Sequence, residues 1–488
     1  MTDDAPAGPT DKKVPVTANT GAIRAVGLDL QEGKVIPKKQ VRSWALWDWA
    51  TQPFNSVLLT FVFVPLYLVN YWFLPADVAA LKPEDGATVT DPAYTAGIAD
   101  LSGQFSLAVA IAGIAIALLA PVLGQRADSS GRRKFWLAIW TGLLVLSMLA
   151  LFFVQGQPSF FILGISLMAV GSVFSEIAGV NYNAMLVQVS TPRTVGRVSG
   201  LGWGLGYIGG ILALILIAVS DQAFGWYGIP SDNGLIYRII AVGCAVWTIV
   251  FSLPIFLNVP EVPPTVKRES VSFFKSYVVL VKDIVRLYKE SRHTFWFLVA
   301  SAVYRDGLAG VFTFGAILAT GTFNFSSTQL LIFGIVANLI AGLSTIISGR
   351  FDDRFGPRAV VLASLIGLVV AGLGVFFFSG AGQIAFWIGG LLLTIFVGPA
   401  QAASRSLLAR VTPAGRESEI FGLWATTGRA ASFISPALFG VFVTIAGMQL
   451  WGILGIVVVL VVGLVLMLLV KLPDLRPADP AAVPGSLS

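Results

Sequence analysis

The chain has almost none of the residues that build metal and thiol chemistry. Its 488 residues include one cysteine, Cys244, and one histidine, His293. One thiol cannot close a disulfide within the chain, and one His with one Cys cannot assemble a zinc site. Charge is also scarce: Asp, Glu, Lys and Arg make up 12% of residues, about half the share of an ordinary soluble domain. There is no Gly-x-x-x-x-Gly-Lys-Ser/Thr run, which excludes a phosphate-cradling loop for ATP-driven work. No nucleophile–base pair can be assembled, so no enzyme and no cofactor are expected. The opening Met1-Thr2-Asp3-Asp4 does not begin a basic-then-apolar signal peptide.

What is abundant is apolar. The hydrophobic fraction is 56% and the mean hydropathy is +0.81. A run of ~20 apolar residues crosses the bilayer core as a helix. Twelve such runs occur, over 43–72, 99–123, 135–154, 159–187, 199–219, 236–257, 294–320, 327–348, 359–378, 384–408, 419–445 and 448–470. Weak alternation and abundant Gly, Ala and Leu argue against a β-barrel. The expected fold is all-α and polytopic.

The distribution of charge orients it. With the N-terminus in the cytoplasm, 28 of the 32 Lys and Arg residues fall in cytoplasmic segments, and the external loops hold only Lys82. Arg238, Arg305 and Arg429 lie within spans. Basic residues scattered over many short loops reflect the positive-inside rule, not nucleic-acid binding, and put both termini inside.

A polar N-terminal tail, 1–42, and a C-terminal tail, 471–488, read as disordered. Between them lie bundles 43–257 and 294–470, joined by a cytoplasmic linker, 258–293. The linker opens on Pro260, Pro263 and Pro264 and then becomes amphipathic. Lys275, Lys282, Arg286 and Lys289 share one helical face, and Phe273, Phe274, Val278, Val281 and Val285 supply apolar surface. This predicts a helix lying on the cytoplasmic leaflet, a solvated linker helix being the alternative. In the fifth span Gly200, Gly202, Gly204, Gly206 and Gly210 form overlapping small-x-x-x-small pairs, which predict close helix packing.

One short signature occurs twice. Gly124-x-x-x-Asp128-x-x-Gly131-Arg132-Arg133-Lys134 follows the second span, and Gly349-x-x-x-Asp353-x-x-Gly356-Pro357-Arg358 follows the eighth. The repeat implies two related halves able to rock about a site between them. The glycines are expected to permit a sharp turn. Each aspartate is placed to accept hydrogen bonds from a helix N-terminus, with the arginines at headgroup level. Such contacts would latch the halves in one state.

This loop is the signature of the major facilitator superfamily, which the chain resembles over residues 43–470. Further stretches narrow the resemblance. They are Trp44-Ala-Leu-Trp-Asp48-Trp-Ala, Asn181-Tyr-Asn183-Ala-Met-Leu, Gly196 to Gly210, Tyr304-Arg-Asp306-Gly, Gln401-Ala-Ala-Ser-Arg405-Ser and Ile420 to Phe433. Together they resemble the vacuolar amino-acid effluxer family linked to autophagy in fungi, with its bacterial relatives. The resemblance implies twelve transmembrane helices in two six-helix bundles related by pseudo-twofold symmetry, alternating access, and export of amino acids. The family usually has a small polar residue where Arg305 stands, and often Lys where Arg429 stands. The closer match to the bacterial branch and the short external loops suggest a bacterial plasma membrane; a monomer is expected.

Ionisable groups at membrane depth are functional candidates by default. Glu176, Arg305, Asp306 and Arg429 lie near mid-span, and Asp48 lies shallower. The sharp reading is a zwitterion site for a small organic solute. An arginine would grip its carboxylate, and Glu176 or Asp306 would face its ammonium group or take up a proton. Arg305 and Asp306 point ~100° apart on a helix, so at most one faces the cavity squarely. Asp48, Asn181 and Asn183 join the candidate set through their motifs, and Trp47, Tyr182, Tyr304 and Trp424 adjoin it. Internal salt bridges that fix helix positions are the plain alternative. The rival functions are an exporter of drugs or lipophilic compounds, and a receptor or assembly protein that does not transport.

Overall fold

The computed structural model describes residues 27–82, 91–225, 232–261, 273–325 and 327–471. Most of both tails, Pro263, Pro264 and the side chains of Phe273 and Phe274 lie outside that description.

The described residues contain twelve helices long and apolar enough to cross a membrane. In chain order, spans one to six are Lys38–Leu68, Pro92–Ser130, Arg133–Phe153, Pro158–Val187, Val195–Ser220 and Leu235–Asn258. Spans seven to twelve are Arg292–Ala319, Ile332–Phe355, Pro357–Phe377, Gln383–Val411, Glu417–Ala446 and Gln449–Leu469. The first six and last six form two bundles, with the helix Phe273–Glu290 between them in sequence.

Two spans are irregular where the chain supplies a reason. Span one is α-helical only to Pro53, a residue with no N–H to donate. It continues in wide turns over Phe54–Phe61 and Phe63–Leu68, with bonds such as Val62 N to Val57 O at 2.9 Å. Span eleven breaks after Ala431 and restarts at Ile434, two residues before Pro436. The Asp306 carboxylate accepts the Ser435 N–H at 2.6 Å and so satisfies a donor at the restart.

The bundles meet closely at the end that carries the repeated loops. There span two packs on span eleven, and span five on span eight. Both contacts run through glycine. A Cβ on Gly124 would collide with the Ser418 carbonyl, and one on Gly422 would stand 2.6 Å from the Ala120 carbonyl. On the opposite side, a Cβ on Gly200 would lie 2.6 Å from the Thr345 oxygen and one on Gly349 2.7 Å from the Gly196 oxygen. The expected small-residue packing of span five is therefore a contact between the halves for Gly200 and Gly204, which face span eight. Gly206 and Gly210 face span one, and Gly202 faces the side chains of Arg405, Tyr182 and Asp48.

The loop itself differs from expectation. Helix runs through Gly124 and Asp128 to Ser130, and through Gly349 and Asp353 to Phe355. Only the later glycine of each copy makes the turn, Gly131 at φ 64° and Gly356 at φ 86°. The earlier glycine instead removes a side chain where two backbones touch.

Candidate functional site: a charged cavity between the halves

A cavity of about 300 Å³ lies between the bundles. Spans one, four, five, seven, ten and eleven contribute to its wall. Its charged lining residues are Asp48, Glu176, Arg305 and Arg405.

Toward the loop end the cavity is floored by a polar cluster built on Arg405. This guanidinium is 1% exposed and reaches from span ten into the first bundle. It donates to Asp48 Oδ2 at 3.1 Å, Asn183 Oδ1 at 3.0 Å, Ser199 Oγ at 3.0 Å and the Ser199 carbonyl at 2.6 Å. Tyr182 donates its hydroxyl to the same Asp48 oxygen at 2.9 Å. The Tyr182 ring is sandwiched between Trp44 and Trp47, each with its centroid 4.4 Å away. Gly202 makes room for the cluster, since a Cβ there would lie 2.8 Å from both Arg405 Nη2 and the Tyr182 oxygen. A buried charge so fully bonded and paired is stable where an unpaired one would not be.

Higher on the wall, Glu176 and Arg429 form a 2.7 Å ion pair across the halves, with side chains 41% and 37% exposed. Arg305 has a different environment. Its guanidinium lies 3.8 Å from the centroid of the Trp424 ring and donates once, to the Trp424 carbonyl at 2.9 Å. Among the described residues no carboxylate lies within 4.0 Å of it. Asp48 and Glu176 each hold another arginine in direct contact, so Arg305 feels the Glu176 charge only at longer range.

The remaining candidates divide. Asn183 lines the cavity, as do Trp47, Tyr182 and Trp424. Asp306 does not line it; as the helical angle requires, it points away from Arg305 and serves the restart of span eleven. Asn181 is fully buried and donates to the Ile177 carbonyl at 3.0 Å. Tyr304 is buried against Ser404 at 2.7 Å. In sequence Arg405 stands close to Arg410 and Arg416, in a stretch whose cations read as cytoplasmic loop charges, so nothing local sets it apart. All three are buried, at 1%, 6% and 2% exposure, so these arginines are interior groups and not headgroup-level charges. The Gln401 to Ser406 motif was the signal that could have found it.

Below the floor lie two latches. Asp128 accepts the N–H groups of Ser418 and Glu419 at 3.1 and 2.9 Å, at the start of span eleven. Arg133 bonds Asp128 at 2.8 Å and also Glu417, so it is held within the protein and does not reach the headgroup level. Arg132 is exposed. Asp353 accepts the N–H groups of Gly196 and Arg197 at 2.8 and 3.1 Å, at the start of span five. Arg358 takes no part in this and donates to Leu468 O at 3.0 Å within its own half.

Twelve membrane-length helices in two bundles, closed at one end around a charged cavity, define a transporter of the major facilitator superfamily. Solved structures agree on the fold. The human organic anion transporter MFSD10 aligns at TM-score 0.65 and 15% identity, covering 88% of this chain and all of that one. The Escherichia coli fucose:proton symporter aligns at TM-score 0.64 and 13% identity, covering 89% and 98%. A model of the family described as "Vacuole effluxer Atg22 like" matches residues 37–477, and the chain belongs to that family. An uncharacterized MFS-type transporter of Bacillus subtilis, YxiO, is 26% identical over 88% of this chain and 94% of its own length. Autophagy-related protein 22 of Cryptococcus neoformans is 28% identical over 55% of this chain and 51% of its own length.

Proposed function

We propose that the protein exports a small carboxylate-bearing solute, an amino acid or another zwitterion, by alternating access. The observation that carries this is Arg305, a guanidinium on the cavity wall with one hydrogen bond and, among the described residues, no carboxylate within 4.0 Å. It offers a planar fork to a carboxylate, and Trp424 behind it fixes its orientation. Trp47 and Tyr182 supply aromatic faces, and Glu176 a carboxylate, for an ammonium group. The resemblance to an amino-acid effluxer family supports the same choice.

In this reading the loops lie in the cytoplasm with both termini, in a bacterial plasma membrane, and the protein acts as a monomer. The latched loop end then makes the structure outward-facing. Release of the latches after span two and span eight turns the cavity inward. Glu176 and Asp48, each held to an arginine of the other half, are the carboxylates placed to couple a proton to that movement. A plain organic anion is the second reading, favoured by the positive charge left on Arg305. A lipophilic cation would meet that same charge unfavourably.

The test is a thermal-shift screen of purified protein with amino acids, organic anions without an amine, and lipophilic cations, followed by flux in proteoliposomes. A ligand that binds the native state raises the unfolding temperature. Amino acids should shift and move. If only amine-free anions do, the zwitterion reading falls, and if only lipophilic cations do, the carboxylate reading falls with it. Arg305→Ala should weaken binding by roughly 10- to 100-fold, the value of a hydrogen bond to a charged group. Unchanged affinity would leave Arg305 a packing partner of Trp424.

A further inference from the structure

The helix Phe273–Glu290 carries three parallel stripes. At ~100° per residue, Leu280, Leu287 and Ile284 fall together, and they pack against the bundle, the first two buried. Next to them run Val278, Val281, Val285 and Tyr288, all exposed. Beyond these run Lys275, Lys282, Arg286 and Lys289, also exposed. The three lysines make no ion pair among the described residues. A solvated linker helix would present polar side chains on both outer stripes. Here an apolar stripe lies between the protein and a row of cations.

The position of the helix identifies what covers the apolar stripe. Tyr277 donates to the Leu118 carbonyl of span two at 3.3 Å. Leu118 is ten residues from Asp128, which is ~15 Å up the helix from the latch. Span two turns Ile111, Ile114 and Leu118 outward there, exposed by 59%, 62% and 54%. In a membrane-spanning helix such a face meets acyl chains. Tyr277 ties the helix to that span, and on the helix the exposed valine stripe separates the packed leucines from the lysines, the order of faces an interfacial helix needs.

We propose that this helix is a binding site for anionic phospholipid, with the valine stripe among the acyl chains and the lysines on headgroup phosphates. The proposal depends on the membrane fold and not on the identity of the transported solute.

The test uses the full chain in nanodiscs of phosphatidylcholine with phosphatidylglycerol, counting co-purified lipids by native mass spectrometry. Phosphatidylglycerol should be enriched over its share in the disc, and the enrichment should fall as salt rises. The triple variant Lys275→Gln, Lys282→Gln, Lys289→Gln should lose roughly tenfold or more of that preference, since each lysine near an anionic surface counts for several-fold. The three side chains are exposed, so an unchanged unfolding temperature should confirm an intact fold. Equal retention of both lipids by the unaltered protein, or a salt-insensitive preference, would overturn the proposal. So would a triple variant that keeps the full preference. Displacement of the lipid by equimolar soluble glycerol phosphate would show a site for free anions and would also overturn it.

Discussion

The two copies of the loop use the same device, but different residues complete it. In each, an aspartate on the last turns of one span holds the first N–H groups of a span in the other bundle. The positive end of a helix meets a carboxylate, so each contact joins a hydrogen-bond pair to a charge–dipole attraction. In the first copy the cation comes from the loop: Arg133 bridges Asp128 to Glu417, with its side chain 13% exposed. In the second the loop's own Arg358 turns away. Its place is filled from the partner side by Arg197, 56% exposed and 2.8 Å from Asp353. Arg410 fills it from span ten, buried, donating to Asp352 at 3.3 Å and across to the Pro192 carbonyl at 2.8 Å. The aspartate on a helix start is thus the invariant part of the device, and the cation can arrive from anywhere within reach.

This contrast sets the order of expected effects. Asp128→Ala leaves two N–H groups at the start of span eleven unserved and leaves Arg133 paired with Glu417 alone. Each lost hydrogen bond to the charged carboxylate is worth about 1.5–3 kcal/mol, so the closed loop end should be strongly depopulated. A cysteine at Ser418 reports it, because that hydroxyl has no hydrogen-bond partner among the described residues and the site is fully buried. The single native cysteine, Cys244, is buried and adds no labelling background. Labelling at Ser418→Cys should rise by orders of magnitude in the Asp128→Ala background, and transport should fall more than substrate affinity. Equal loss of both would mean that the first latch is not a gate. Asp353→Ala should act in the same direction but less, because Arg197 can turn to water while Arg410 keeps Asp352. Arg197→Ala should cost about 1 kcal/mol or less, as exposed ion pairs do, and an effect matching Asp128→Ala would erase the distinction between the latches. Arg358→Ala should leave Ser418→Cys labelling unchanged. A rise would show that this arginine acts across the halves after all.

Much of this architecture could be read from the chain because membrane spans are written in composition. All twelve are legible as apolar runs, and the repeated loop marks the halves. Boundaries drifted where charged residues lie inside helices: span eight includes Asp352 and Asp353, which burial and Arg410 make tolerable there. The site was half legible. Arg305, Glu176 and Asp48 announce themselves as charges in apolar surroundings. Arg405 did not, because what sets it apart from the basic residues beside it is burial against span five, which no local pattern records. Asp306 misled for the complementary reason. Its partner is the restart of a broken helix, and the break becomes visible only when spans seven and eleven are placed together.

The tight end of the molecule has one further property. At its points of closest approach carboxylates, guanidinium groups, helix-start N–H groups and bare glycine backbone meet, with apolar side chains such as Ile420 and Phe421 packed beside them. Surfaces of that kind re-hydrate when they part. Water takes over each donor and acceptor as it is released, so a whole hydrogen bond between protein groups is worth only about 0.5–1.5 kcal/mol net. A seam of leucine and phenylalanine would seal as well but would resist separation in proportion to the area exposed. The closed end is therefore a zipper that water can open, intolerant of losing one tooth and yet inexpensive to separate whole. A machine that must close and open once for every solute it moves needs both properties at the same place.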